Sequence, residues 1–207
     1  MIDHALGFLK DQLNASLKEA FAADGSEAEK DLVLFVDGDK MDPLSFPSGA
    51  ASILLVNVEQ EKTMRRADPF RGAAADNPNT PVRINPEIRL VLSVLFAARF
   101  KQYEVGLKIL SGIVQFFQEH PVFRGSDAAP LPSGIKRLAV EQASLPLAAQ
   151  NEIWSALRTT YHPSVLYRVS MLVIRDRAPV ISPAIGEGGI FTQTEQIESG
   201  RADNGEA

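Results

Sequence analysis

Cysteine is absent from the 207-residue chain, which excludes disulfide bonds, thiolate metal ligands and a cysteine nucleophile. Basic residues are in deficit as well, since 21 Lys and Arg face 26 Asp and Glu for a formal net charge of −5. A protein that binds the phosphates of nucleic acid needs a basic face, so no nucleic-acid partner is expected. Long apolar runs are also missing: none approaches the roughly 18 residues of a membrane-spanning helix.

A secretory signal is a further missing feature. Residues 1–13 contain no basic segment followed by an apolar run. We therefore expect synthesis in the cytoplasm without a signal peptide, and export inside a larger assembly stays open.

Catalytic and ligand-binding motifs are not found either. The three histidines, His4, His120 and His162, lie far apart in the sequence, and no H-E-x-x-H pair, G-x-S-x-G elbow or phosphate-binding loop occurs. The acidic loop at residues 37–42 would need a glutamate at its twelfth position to bind calcium, but Ser48 stands there. We therefore expect no catalytic residues, no metal and no cofactor, and predict that the protein is not an enzyme.

The stretch from Phe100 to His120 has the clearest pattern in the chain, that of an amphipathic helix. Pro121 should end this helix, and His120 suits the negative end of its dipole. The apolar positions that recur at spacings of four and three predict a buried stripe. They are Tyr103, Leu107, Leu110, Val114 and Phe117, and Ile109, Ile113 and Phe116 widen the stripe.

Strand patterns surround this helix and supply the sheet that its apolar face needs. In residues 88–96, the even-numbered side chains from Ile88 to Phe96 should face the core. Residues 52–58 are nearly all apolar, which indicates a strand covered on both faces. Further strands are predicted at 32–36, 137–142 and 164–175, helices at 3–22 and 144–158, and long connections at 67–86 and 121–136. The predicted fold is α/β (α+β), with a central, mostly antiparallel or mixed sheet flanked by helices.

The chain divides into one α/β domain at residues 1–177 and a C-terminal arm with a polar tail at residues 178–207. The arm carries scattered apolar side chains that suit docking into a partner, although a disordered tail is the alternative. These side chains are Val180, Ile181, Ile185, Ile190 and Phe191. A second candidate partner surface contains Glu59, Arg65 and Arg66 at the end of the 52–58 strand, with a solvated loop as its alternative.

Three segments in succession resemble a known family. They are ASILLVNVEQEKTMR, ARFKQYEVGLKILSGIVQFFQEHPVF and LAVEQASLPLAAQNEIWSALRTTYHPSVLYRVSMLVI. Together they are similar to the tail-cap, or tail-terminator, proteins of extracellular contractile injection systems, the phage-tail-like particles of the antifeeding-prophage and virulence-cassette kind. The resemblance covers roughly residues 1–180 and implies a phage tail-terminator-like fold. It departs from the family at the C-terminus, where some members carry a long extension.

The resemblance also implies a function and partners. The protein is expected to form a homo-hexameric ring at the distal end of the inner tube and sheath, to bind both proteins, and to end their polymerisation. Because sheath subunits of such particles share strands, the arm is expected to join its partner by β-strand addition. Two alternatives stay open: a terminator or tube-end adaptor of an ordinary phage tail, and an α/β hydrolase or ligand-binding domain.

Overall fold

The computed structural model describes residues 1–23, 30–40, 44–61, 88–127 and 130–173, together with the backbone of two short strands. Three α-helices and eight strands lie in these ranges. In chain order they are α1 (Ile2–Ala23), β1 (Val33–Phe35), β2 (Ala50–Gln60), β3 (Arg71–Ala73), β4 (Pro81–Arg83), β5 (Ile88–Arg99), α2 (Tyr103–Glu119), β6 (Val122–Arg124), β7 (Ile135–Ala143), α3 (Leu147–Ala156) and β8 (Ser164–Val173), with a 3-10 turn at Gly38–Lys40.

Six strands form one mixed sheet in the order β1-β2-β5-β8-β7-β6. β1 runs parallel to β2, and every other neighbouring pair in this sheet is antiparallel. The predicted α+β class and the mostly antiparallel sheet are therefore confirmed. The two connections predicted to lack strands are corrected, because β3 and β4 pair with each other inside residues 67–86 and β6 pairs with β7 inside residues 121–136.

Helices α1 and α2 cover one face of the sheet and enclose the main core. Leu92, Val94 and Phe96 of β5 are fully buried there, as their alternation predicts. Phe96 lies at the centre of an aromatic group, with ring centroids 5.7 Å from Phe117 of α2 and 5.8 Å from Tyr167 of β8. Burial in this apolar group raises the pKa of Tyr167 to about 12.

Four of the eight residues predicted for the buried stripe of α2 are buried, namely Ile109, Ile113, Phe116 and Phe117. The line through Tyr103, Leu107, Leu110 and Val114 lies one residue position, or about 100° around the helix, away from the buried face. The residues that α2 buries are Gly106, Ile109, Ile113, Phe116 and Phe117. Tyr103 is 65% exposed and Leu107 is 42% exposed, so the prediction that they are buried is wrong. The reason lies in the tertiary packing. Leu17 of α1 lies against Gly112 of α2, and this contact determines which side of α2 faces α1.

A second, smaller core lies on the opposite face of the sheet, under α3. Phe46, Leu95, Ala97 and Trp154 belong to it, and Leu54 of β2 packs against it. The neighbouring Ile53 belongs to the main core instead. The first part of the strand predicted at 52–58 is thus covered on both faces, as expected from its apolar sequence, whereas Asn57 and Val58 are exposed.

Helix α1 contacts both outer strands of the sheet. Asn14 is hydrogen-bonded to the backbone of β1, and the Phe8 ring packs edge-on against Phe123 of β6 at 5.4 Å. A flat sheet of six strands would hold its outer strands about 24 Å apart at ~4.8 Å per strand. The sheet therefore curls around α1.

Candidate partner-binding surfaces

Within the described ranges, no three His, Asp or Glu side chains come together as a possible metal site. Two of the histidines are structural. The His120 backbone N–H donates to the Phe116 carbonyl at 2.8 Å, which confirms that His120 ends α2. His162 packs against the rings of Phe46 and Trp154 at 5.7 and 6.0 Å. Burial, followed by the charge of Arg99, lowers the pKa of His162. No described helix is long and apolar enough to cross a membrane.

A cavity of about 530 Å³ lies between α1, β1 and the segment before β2. Lys10 and Arg99 line it beside Asp37 and Phe46. The Arg99 guanidinium donates to the Phe46 carbonyl, which ties the end of β5 to the segment before β2. Among the described residues that line this cavity, Asp37 is the one acid group, beside the cations Lys10 and Arg99.

The exposed side of α2 carries an apolar strip that we call the α2 stripe, made of Tyr103, Leu107, Leu110 and Val114. Leu110 and Val114 are half-buried, and the other two are exposed. The stripe borders an open trough of about 1050 Å³, whose other wall includes Val165 of β8. Contiguous exposed apolar surface of this kind is typical of interaction sites.

A small cavity of about 160 Å³ lies on the other face of the sheet, beside α3. Trp154 and Ser164 line it, and Trp154 Nε1 and Ser164 Oγ are buried without a hydrogen-bond partner in the described part of the chain. A buried unsatisfied group costs about 1–3 kcal/mol, so both atoms favour a bound water or a polar partner group. Gln142, Ser164 and Val165 line this cavity and the trough, so the two lie at the same end of β7 and β8.

The partner surface predicted from the sequence is described only at Glu59. Glu59 is exposed near the end of β2, opposite Val91 of β5, and accepts a hydrogen bond from Asn57 Nδ2 at 2.9 Å. Arg65, Arg66 and the arm residues lie outside the described residues, so their role stays a prediction. The arm residues are Val180, Ile181, Ile185, Ile190 and Phe191.

The sequence reasoning missed the exposure of the α2 stripe and the cavity at Trp154, because both depend on which elements pack together. It also missed Asn14, whose place beside the leucines of α1 is visible in the sequence but whose partner is not. Asn14 directly follows Leu13 of the leucine stripe of α1, and it is only 5% exposed. A buried amide inside an apolar helix face must find hydrogen-bond partners, which points to a backbone contact.

Residues 6–186 match the family model described as the Pvc16 N-terminal domain. The chain belongs to this family. The match covers most of the chain and confirms, at the level of the family, the resemblance to terminators of contractile injection systems. No curated protein matches the sequence.

Two solved structures are similar to this chain. One is the sheath/tube terminator of an extracellular contractile injection system, PVC, in its extended state, with 14% sequence identity and a TM-score of 0.53. The match covers 93% of this chain and 66% of the terminator chain. The cap of the anti-feeding prophage, described as a tube-terminating cap, matches with 13% identity and a TM-score of 0.43, over 62% of this chain and 44% of the cap chain. This chain thus spans less than two thirds of the length of either protein.

Proposed function

We propose that this protein is a terminator of a contractile injection particle, which binds the distal end of the inner tube and sheath and ends their polymerisation. The observation that carries the proposal is the Pvc16 N-terminal domain match over residues 6–186. The fold shared with a PVC sheath/tube terminator supports it. On this proposal the protein acts by binding, with no bond-making chemistry, and needs no cofactor.

The proposed mechanism follows from the geometry of a growing tube. Each ring of subunits exposes the surface on which the next ring assembles. A terminator has to match the symmetry of that ring, bury its exposed surface and offer no copy of it on the outer side. A homo-hexamer would meet the first condition for a six-fold tube.

The residues proposed for the contacts are those predicted from the sequence. Glu59, Arg65 and Arg66 would contact a neighbouring subunit or the tube end, and the arm at residues 178–191 would dock on a partner through its apolar side chains. The protein would be made in the cytoplasm and incorporated into particles there.

The location of the protein in a particle tests this proposal. Particles are assembled with a chain that carries an affinity tag at its C-terminus, labelled with gold, and imaged by electron microscopy. We expect label at one end only of each extended particle. Label along the sheath, label at both ends, or label found only on unassembled protein would overturn the proposal.

Charge reversal tests the proposed ring contacts separately. R65E/R66E should reduce the fraction of hexamer seen by native mass spectrometry at least tenfold, because each subunit contact would lose about 1.4 kcal/mol or more. K30E/K101E makes the same change in net charge at two exposed positions and serves as the control. Equal hexamer fractions in both variants would exclude Arg65 and Arg66 from the interface.

A further inference from the structure

The outer strands of the six-stranded sheet are β1 and β6. The outer strand of a sheet normally presents unpaired N–H and C=O groups, and another polypeptide can extend the sheet by pairing with them. Which backbone groups face outward, and what they bond to, therefore decides whether this chain can accept a strand from another protein.

In β1, the outward-facing backbone belongs to Val33 and Phe35. The Leu32 carbonyl accepts a hydrogen bond from the Ala51 N–H of β2 at 2.8 Å, and Val33 lies opposite Ala51. Because carbonyl and N–H directions alternate along a strand, the groups of Val33 point away from β2. They meet Asn14 of α1.

Asn14 replaces a neighbouring strand at this edge. Its Oδ1 accepts the Val33 N–H at 2.9 Å, and its Nδ2 donates to the Val33 carbonyl at 2.9 Å. The same Oδ1 accepts the Leu32 N–H at 2.9 Å. One buried amide side chain thus satisfies both outward-facing groups of Val33, the first residue of β1.

Helix α1 lies along the whole outer side of β1. Lys10, Asn14 and Lys18 are spaced by four residues, or about 6.0 Å along a helix, and Phe35, Val33 and Asp31 are spaced by two residues, or about 6.6 Å along a strand. Because the four-residue spacing on the helix nearly equals the two-residue spacing on the strand, three successive pairs of residues come into contact. Lys10 Nζ lies 5.9 Å from the Phe35 ring centroid, Asn14 bonds Val33, and Lys18 Nζ lies 2.7 Å from Asp31 Oδ1.

At the β6 edge, a different side chain binds the backbone groups of Arg124. The Val140 N–H donates to the Pro121 carbonyl at 2.8 Å, and Arg124 lies opposite Arg137 in the same antiparallel register. By the antiparallel alternation, the backbone groups of Arg124 face outward. Asp127 holds both: its Oδ2 accepts the Arg124 N–H at 2.6 Å, and its own N–H donates to the Arg124 carbonyl at 3.1 Å.

We propose that Asn14 and Asp127 close the two outer edges of the six-stranded sheet, so that this protein does not accept a β-strand from any other polypeptide there. An incoming strand would first have to displace the intramolecular bonds at Val33 and Arg124. This inference deepens the proposed function and rests on it for its purpose: a subunit that accepts no strand offers a growing assembly no edge on which to continue. Any strand shared with a partner then comes from this chain and pairs with an edge of the partner.

Amide hydrogen exchange on the purified full chain tests the closure directly. The Val33 and Arg124 amides should be protected in the wild type. D127A and D127N both remove the charge of Asp127, but only D127N keeps a side-chain oxygen that accepts the Arg124 N–H. D127A should therefore accelerate exchange of the Arg124 amide about tenfold, because it loses a charge-assisted hydrogen bond, and a tenfold change corresponds to about 1.4 kcal/mol. D127N should accelerate the same exchange less than threefold. Unprotected Arg124 in the wild type, or equal rates in the two variants, would overturn the assignment.

Strand acceptance itself is tested by using the chain as its own probe. Sedimentation velocity at rising protein concentration should give one finite species for the wild type and for D127N. N14A/D127A, checked for a native circular dichroism spectrum, should associate further as concentration rises. If N14A does not fold, N14D replaces it, because aspartate still accepts from Leu32 and Val33 but leaves the Val33 carbonyl unpaired. A folded double variant with exposed edge amides that stays at the wild-type size would contradict the proposal. These measurements need no assembled particle. Their results therefore do not depend on whether the protein lies at the end of a particle.

Discussion

Replacing Gly112 with alanine tests how tightly α1 packs on α2, and therefore what holds α1 against the edge of the sheet. A Cβ atom at Gly112 would lie 2.6 Å from Leu17 Cδ2, whereas ordinary Cβ contacts begin at 3.4 Å. Leu17 is 2% exposed, so it has little free space into which to move. At Gly7 of α1, by contrast, an added Cβ meets nothing within 4 Å.

Two effects oppose each other in G112A. Alanine is about 0.8–1.0 kcal/mol better than glycine in a helix interior, and this gain applies at both glycines. Overpacking a buried contact costs about 1–3 kcal/mol, and this cost applies only at Gly112. We therefore expect G7A to raise the free energy of unfolding by about 0.8 kcal/mol and G112A to lower it by about 0–2 kcal/mol, a gap of about 1–3 kcal/mol between the variants.

Urea denaturation followed by far-ultraviolet circular dichroism measures both values at one fixed protein concentration. The double variant L17A/G112A separates the clash from other effects of the substitution. Leu17→Ala alone should cost about 2–5 kcal/mol, and it leaves space for the new methyl group. The double variant should thus be about 1–3 kcal/mol more stable than the sum of the single effects predicts. If G112A stabilises the protein as much as G7A does, α1 does not pack on α2 as described.

Three further predictions address the second core and the arm. The pKa of His162 is lowered from its ordinary value of 6.5, so the unfolded chain binds the proton more readily. The free energy of unfolding should therefore fall as the pH drops below 6.5 and level off once the pH passes the pKa of the folded state. Urea denaturation at pH values from 7.5 to 5 should show a smaller fall in H162F than in the control H4Q. Equal falls of the free energy of unfolding in the two variants would refute the assignment. Trp154 is 4% exposed, and its ring centroid lies 5.7 Å from that of Phe46. W154A should therefore lower the free energy of unfolding by about 3–5 kcal/mol, and W154F by clearly less. A loss under about 1 kcal/mol in W154A, measured by urea denaturation, would contradict the burial. Deletion of residues 178–207 should leave the domain folded by circular dichroism but reduce the yield of particles of normal length; unchanged sheath length and yield by electron microscopy would exclude the arm as a contact.

The elements with long, regular patterns could be predicted from the sequence. The strands predicted at 52–58, 88–96 and 164–175 correspond to β2, β5 and β8, each of which is ten or more residues long. β6 was missed because three residues are too few to show a period.

The face of α2 illustrates a different limit. Two overlapping apolar stripes lie on this helix, and periodicity alone cannot choose between them. The contact between Leu17 and Gly112 decides in favour of Ile109 and Ile113, because only a glycine at that position lets α1 approach so closely. As a result Tyr103, which the pattern placed in the core, is exposed instead.

The closed edges show why the candidate surfaces were harder to predict than the fold. The roles of Asn14 and Asp127 depend on which strands are outermost and on which backbone groups face outward. Neither is visible before the strand order is known. Of the predicted contact residues, the structure describes Glu59 alone, and its exposure is compatible with a contact but does not test one.

The length of particles assembled without this protein tests the central claim most directly. Particles are produced from the complete gene set, from the set that lacks this chain, and from the latter with the chain supplied separately. Sheath and tube lengths are then measured by electron microscopy. The account predicts a narrow length distribution in the first and third preparations, and sheaths and tubes of uncontrolled length in the second. Particles of normal length and yield without the chain would contradict the account.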